Sequence, residues 1–195
     1  MNEWRINMND WKIPDGAGYK SSWIVIKGSN REEIIKNLKL KDIESISWNE
    51  GIEKVGSLNN TVMVSNDYEN INFIIGNSLF NLSYNDKLLM DMSKDCKLYY
   101  FYTHRVSESH GFAIAEDGII MRKYYYDEER LESVGLTQLE KDNGWFFAEN
   151  FDQCFTDDFI TINEEYIIEM AEEWTGIDID KFPYSDVICG KIEEL

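Results

Sequence analysis

The Asp117-Gly118 pair, flanked by two apolar runs, constrains the fold more than any other feature of the sequence. Residues 112–116 precede the pair and Ile119–Tyr126 follows it. A type I′ turn needs positive φ at both central positions, and Asp-Gly adopts these angles readily. The pattern therefore predicts an antiparallel hairpin. The aromatic run at residues 97–102 predicts a further strand just upstream.

Other segments show the periodicities of short strands and helices. Further strands are predicted at residues 23–27, Thr61–Val64 and Ile71–Ile75. Helices are predicted at residues 31–38 behind Asn30, at 84–93 behind Ser83 or Asn85, and at 164–174 with Gly176 as the end. Capping-box patterns predict helix starts at Thr137 and at Thr161. Residues 43–55 fit neither period. This order of elements predicts an α+β fold, a mostly antiparallel sheet with a few short helices, in one domain over residues 1–195.

The acidic residues are concentrated in the last third of the chain. Residues 127–195 carry 20 acidic and 4 basic side chains, a net charge of −16 out of −18. Aromatic residues such as Phe146 and Phe151 interrupt the acids, which indicates a folded surface instead of a solvated tail. Such a surface repels nucleic acid and anionic lipid and attracts basic proteins. The candidate partner-binding residues are Asp157, Asp158, Glu165, Glu169, Glu172 and Glu173.

The cysteines and the apolar segments bear on location and cofactors. The chain starts without an apolar signal sequence, and no apolar run reaches the roughly 20 residues of a membrane span. Cys96, Cys154 and Cys189 are odd in number and far apart, which is typical of reduced thiols. We therefore expect a cytoplasmic protein that does not enter a membrane. No nucleotide-binding or metal-binding signature is present, and we expect no cofactor.

The only two histidines, His104 and His110, lie six residues apart after the aromatic strand. Three interpretations are open. His104, Glu108 and His110 could bind a metal, although their spacing matches no standard zinc signature. Ser107 or Ser109 could act as a nucleophile with a histidine base, although no nucleophile elbow surrounds them. The third and favoured interpretation is a structural role, or contact with an anionic ligand.

Arg122 lies in the second strand of the predicted hairpin. A two-residue turn would place it opposite Ala113, on one face with Tyr124, and two alanines would leave room for both side chains. A half-buried arginine needs a carboxylate or several carbonyls. Arg122 could therefore form a structural ion pair, or could hold an anionic group together with Arg105. The candidate ligand-binding residues are His104, Arg105, His110, Arg122 and Tyr124.

Several of these positions form a recognisable pattern. The motifs are Thr103-His104-Arg105-Val106 at a strand end, the Gly118 hairpin, Arg122 with Tyr124, and Gly135-x-Thr137-x-x-Glu140. The pattern resembles a widespread group of uncharacterised bacterial proteins and covers about half of the chain. The resemblance implies a single α+β domain and marks His104, Arg105 and Arg122 as positions to test. It implies no reaction.

Three functions are compatible with these features. The first is a non-catalytic intracellular bacterial protein that binds a basic protein, as an immunity protein neutralising a toxin or a phage-type inhibitor does. The alternative is a small-molecule-binding or sensor domain that uses the face of His104, Arg105 and Arg122. A hydrolase is a lesser alternative, because no residue set supplies a nucleophile, a base and an oxyanion donor together.

Overall fold

The computed structural model describes residues 20–177 and 186–193. In this part of the chain the strands are β1 (Lys20–Lys27), β2 (Lys41–Ile46), β3 (Thr61–Val64), β4 (Ile71–Ile75), β5 (Lys97–His104), β6 (Ser109–Glu116), β7 (Ile119–Tyr126), β8 (Leu131–Val134) and β9 (Val187–Lys191). The α-helices are α1 (Arg31–Asn37), α2 (Trp48–Ser57), α3 (Asp86–Met92), α4 (Gln138–Asn143) and α5 (Glu164–Thr175). Three 3₁₀ segments are Asn77–Tyr84, Arg105–Ser107 and Phe151–Phe155.

The nine strands form one sheet in the order β2-β9-β3-β4-β1-β5-β6-β7-β8, and every neighbouring pair is antiparallel. The predicted α+β fold with a mostly antiparallel sheet is confirmed. The sheet has two short edge strands, β2 and β8. β9 joins from the far end of the chain and lies between β2 and β3. None of the described helices is long and apolar enough to cross a bilayer.

Helices cover both faces of the sheet and bury two separate cores. On one face, α1, the 3₁₀ segment Asn77–Tyr84 and α3 pack on the even-numbered side chains of β1 and β5; we call residues 31–39 and 77–95 the α3 layer. On the other face, α2, α4 and α5 pack on aromatic and branched side chains of the central strands; we call residues 48–57 and 138–177 the α5 layer. Trp174 of α5 contacts Phe101 and Phe112 from above the sheet centre.

The predicted hairpin is present, but its register is not the predicted one. Asp117 and Gly118 have φ of 51° and 79°, as a type I′ turn requires. Beyond Ala115↔Ile120 the pairing shifts, so that Arg122 lies opposite Ile114. The prediction that Arg122 faces Ala113 is therefore wrong. Met121 is the extra residue of a β-bulge, and a one-residue shift moves every later side chain to the other face.

Of the four predicted α-helices, three begin behind a predicted cap, whereas α2 was not predicted. Asn30, Asn85 and Thr137 cap α1, α3 and α4, and Thr137 forms a full capping box with Glu140. The capping box predicted at Thr161 is wrong. Asn163 instead accepts a hydrogen bond from the Tyr166 backbone N–H and caps α5, because an Asn side chain reaches this N–H as well as a Thr hydroxyl does. Gly176 ends α5 in the left-handed conformation, as expected.

Candidate functional site

Arg122 lies in a fully formed buried ion pair. Its side chain is 2% exposed, and that of Glu140 is 0% exposed. Arg122 Nη2 donates to Glu140 Oε1 at 2.7 Å, and Nε donates to both carboxylate oxygens at 3.0 and 3.1 Å. The remaining donor, Nη1, bonds the Lys123 carbonyl, the Ser133 hydroxyl and the Val134 carbonyl. Every nitrogen of the guanidinium group is thus engaged inside the protein.

Glu140 connects this ion pair to the start of α4. Its Oε2 accepts hydrogen bonds from the backbone N–H and the hydroxyl of Thr137, each at 2.8 Å. The Arg122 guanidinium also lies over the rings of Phe112 and Tyr124, 5.1 and 5.7 Å from their centroids. The arrangement fixes α4 and β8 against β7. Because the Arg122 side chain is 2% exposed and each of its three nitrogens is bonded within the protein, we expect it to be structural.

His110 and Tyr124 are core residues as well. The Thr103 hydroxyl and His110 Nδ1 are 2.8 Å apart, and His110 is buried in β6. Burial lowers the pKa of His110 below its usual 6.5, although nearby Glu108 acts in the opposite direction. Tyr124 stacks on Phe112 and contacts Phe147, and burial raises its pKa strongly. Both side chains are 1% exposed in the described structure, which favours a structural role for each.

His104 and Arg105 lie elsewhere, at the turn that connects β5 and β6. His104 is half-buried at the end of β5, and Arg105 is exposed. His104 pairs with Ser109, five residues along β6 from Ile114, the partner of Arg122. Five strand residues span about 16 Å. The structure therefore separates Arg122 and Tyr124 from His104 and Arg105, and it does not bring Arg105 and Arg122 to a common anion.

The histidine turn does not form the catalytic or metal-binding arrangements considered above. Ser107 Oγ bonds His104 Nδ1 within a 3₁₀ turn, a local contact unlike the strained turn of a nucleophile elbow. Ser109 is buried in β6. Within residues 20–177 and 186–193, no three His, Cys, Asp or Glu side chains are grouped so that they could hold a metal ion.

The cysteine thiols are poor nucleophiles in this fold. Cys96 and Cys189 are buried, and Cys154 is half-buried. Burial raises the pKa of Cys96 and of Cys189 to about 11. Because the thiolate is the reactive form, both thiols are inert near neutral pH.

The six candidate partner-binding residues do lie in one layer. All of them belong to the α5 layer and all are exposed: Asp157, Asp158, Glu165, Glu169, Glu172 and Glu173. The α5 layer holds 13 acidic and 2 basic residues, whereas the α3 layer holds 5 of each. One of the 13, Glu140, is the buried partner of Arg122. The two faces of the sheet therefore differ sharply in charge.

Two exposed phenylalanines lie among these acids. Phe146 and Phe151 are 46% and 39% exposed, on either side of Glu149 and next to Asp152. The sequence pattern placed both aromatics in a folded segment but did not single them out, because the chain has ten phenylalanines and nothing local distinguishes the exposed ones from those in the core, such as Phe101 and Phe112. Exposed aromatics within a polar surface are typical of protein interfaces.

The chain was compared with family models, curated proteins and solved structures, and no match was found in any of the three. The resemblance to the bacterial group with the Thr-His-Arg-Val motif therefore stays a prediction.

Proposed function

We propose that this chain is a non-catalytic binding protein, and that the α5 layer contacts a basic surface of a protein partner. The charge difference between the two helical layers carries this proposal. An evenly distributed charge would be sufficient for solubility, whereas a one-sided charge orients the molecule in the field of a cationic partner. Such steering accelerates association and weakens as salt is added.

The sequence of α5 supports the proposal. Glu165, Glu169 and Glu173 are spaced four residues apart, so their carboxylates line one stripe of the helix. Like charges at this spacing repel and destabilise a helix. The last turn of α5 contains no basic residue, although cations are favoured at this negative end of the helix dipole. A helix selected only for stability would hold lysine at some of these positions.

Phe146 and Phe151 supply the apolar part of the proposed interface. Binding energy is usually concentrated in a few aromatic anchors, with charged groups around them that fix orientation and exclude wrong partners. The partner we expect is thus a basic protein surface with an apolar recess. The specific form of the proposal is a bacterial toxin domain as this partner, with the chain as an immunity protein or a phage-type inhibitor.

Affinity capture with matched variants tests the binding surface. The tagged chain is used to isolate partners from cells of its source, next to two triple variants with the same net charge. One carries Glu165→Gln, Glu169→Gln and Glu173→Gln in α5. The other carries Glu32→Gln, Glu69→Gln and Glu129→Gln, three exposed glutamates outside the α5 layer.

We expect the wild type and the second variant to retain a basic protein that the α5 variant loses by about tenfold or more. Equal capture by both variants would contradict a role for the α5 layer. The immunity form is tested separately, by co-expression with the protein encoded next to this gene. The immunity form is supported if cells that express the neighbouring protein grow only with the wild-type chain and not with the α5 variant. It is contradicted if the neighbouring protein does not impair growth.

A further inference from the structure

A polar pocket lies on the opposite side of the sheet from the α5 layer. It has a volume of about 260 Å³ and lies where β1 and β5 end beside the 3₁₀ segment Asn77–Tyr84. Three amides, two serine hydroxyls and one phenyl ring line it: Asn59, Asn77, Asn81, Ser22, Ser78 and Phe80. Thr103 and His104, at the end of β5, complete the lining among the described residues. None of them belongs to the acidic surface discussed above.

Among the described residues, the lining of this pocket contains no aspartate, glutamate, lysine or arginine, and His104 is its one titratable side chain. In a chain with 29% charged residues this is unusual. Two other clefts show the contrast, since each presents four charged side chains. A pocket without charged groups offers nothing to offset the desolvation of an ionic ligand. It therefore favours an uncharged one.

The polar groups of the pocket have unused hydrogen-bonding capacity. Ser78 Oγ is buried and has no hydrogen-bond partner among the described residues, and an unsatisfied buried hydroxyl usually indicates a missing water or ligand atom. Each asparagine amide offers two donors and an acceptor. The Thr103 hydroxyl at the rim is already bonded to His110 and is not part of this set.

Phe80 gives the pocket one apolar wall. Its ring contacts Tyr102 edge-on at 5.0 Å and lies 6.2 Å from the His104 ring, so neighbouring aromatics hold it in place. A fixed ring opposite several amides and hydroxyls suits a molecule with an apolar face and a rim of hydroxyl groups. Neutral sugars have this shape, and the volume admits a single ring.

We propose that this pocket binds a neutral monosaccharide, with the asparagine amides and Ser78 bonding its hydroxyl groups and Phe80 packing against its C–H face. The site is independent of the protein partner proposed above. It lies on the other side of the sheet and uses none of the acidic residues. It shares His104 with the predicted ligand-binding set, but its described lining includes neither Arg105 nor Arg122 and so offers no guanidinium group to an anion.

Backbone amide chemical shifts of the ¹⁵N-labelled protein test this assignment. D-glucose, D-galactose and N-acetyl-D-glucosamine are titrated separately to tens of millimolar, with glucose 6-phosphate as the charged counterpart and uridine as a neutral ligand of another class. We expect at least one sugar to shift signals of residues 76–81, with a dissociation constant of about 1 mM or tighter, as a ligand of this size allows. Glucose 6-phosphate is expected to bind about tenfold more weakly.

A pair of alanine variants completes the test. Asn81→Ala removes an exposed amide at the pocket, and Asn143→Ala removes an exposed amide at the end of α4. We expect the first to weaken sugar binding about fivefold and the second to leave it unchanged. Absence of shifts with every sugar, shifts spread outside the pocket, or preferential binding of uridine or the phosphate ester would overturn the proposal.

Discussion

Arg122 and Glu140 are costly to bury, and the fold tolerates them because each offsets the charge of the other. Three hydrogen bonds join the pair, and five further groups bond the remaining polar atoms of the two side chains. Such a network tends to specify a unique arrangement more than it adds net stability. Here it connects β7 to the edge strand β8 and to α4.

Replacing Arg122 separates a structural role from a ligand-binding role. We expect Arg122→Met to lower the free energy of unfolding by about 3–5 kcal/mol, because it leaves the Glu140 carboxylate buried without its partner. The double variant with Glu140→Gln is expected to recover part of this loss, since the glutamine carries no charge and keeps the bond to Thr137. Urea unfolding of the four proteins measures both effects. Additive losses in the two single variants would show that the pair is not coupled.

His110 makes stability depend on pH. Its pKa is lowered in the folded state by burial, so below about pH 6.5 the unfolded chain binds a proton that the folded chain resists. Stability is thus complete above the unfolded pKa and falls as the pH drops below it. We expect His110→Asn to reduce the slope between pH 7 and 5 by at most about 1.4 kcal/mol per pH unit. His104→Asn, measured in the same denaturant titrations, is the matched control, and equal slopes for wild type and His110→Asn would contradict this account.

At the scale of single elements, α5 combines a buried stripe with an unfavourable exposed one. Ile167, Met170, Ala171 and Trp174 pack on the sheet, so the packing holds a helix whose own charges repel. Lys27 Nζ donates to the Thr175 carbonyl at 2.5 Å, and this bond satisfies one carbonyl at the C-terminal end of α5. The acidic stripe can persist because tertiary contacts, and not helix propensity, decide the stability of α5.

Charge reversal at Glu173 should therefore stabilise the fold while it weakens binding. A lysine here removes the repulsion with Glu169 and favours the negative end of the helix. We expect Glu173→Lys to raise the melting temperature by about 1–2 °C and to reduce partner capture. Glu129→Lys, the same reversal in the β7–β8 turn, should leave capture unchanged. A Glu173→Lys protein that binds as well as wild type would show that this position lies outside the interface.

The sequence predicted most elements whose signals are local. β3, β4, β7 and α5 appear within one or two residues of their predicted bounds, because alternation, capping residues and the Asp-Gly turn act over short distances. β2, α2, β8 and β9 were not predicted. β9 is a run of five residues whose partners β2 and β3 lie more than a hundred residues away, and no local pattern carries that information. The Met121 bulge is equally invisible in the sequence, and it alone decides that Arg122 meets Glu140.

At the scale of the whole molecule, the sheet separates two surfaces of different chemistry. Its α5 layer has 13 acidic and 2 basic residues, a net charge of −11 out of −18, whereas its α3 layer is balanced and lies on the side of the sheet that contains the polar pocket. Because β9 pairs with both β2 and β3, the nine strands form one continuous sheet, and the two helical layers pack on its opposite faces. A protein partner and a small neutral ligand could thus be bound at the same time without competing for residues.

This separation predicts how partner association responds to salt. Electrostatic attraction between oppositely charged surfaces extends over about one Debye length, which is roughly 10 Å at an ionic strength of 0.1 M and 3 Å at 1 M. We expect the association rate of the wild type with its captured partner to fall at least about tenfold between low and high salt, while dissociation changes little. The α5 triple variant should start from a slower rate and depend less on salt. The matched triple variant should follow the wild type, because the charges that it lacks lie outside the α5 layer. Both variants have the same net charge and differ only in the position of the removed charges. If stopped-flow measurements gave the two variants the same salt dependence, net charge alone would account for the attraction, and the one-sided arrangement would have no role in it.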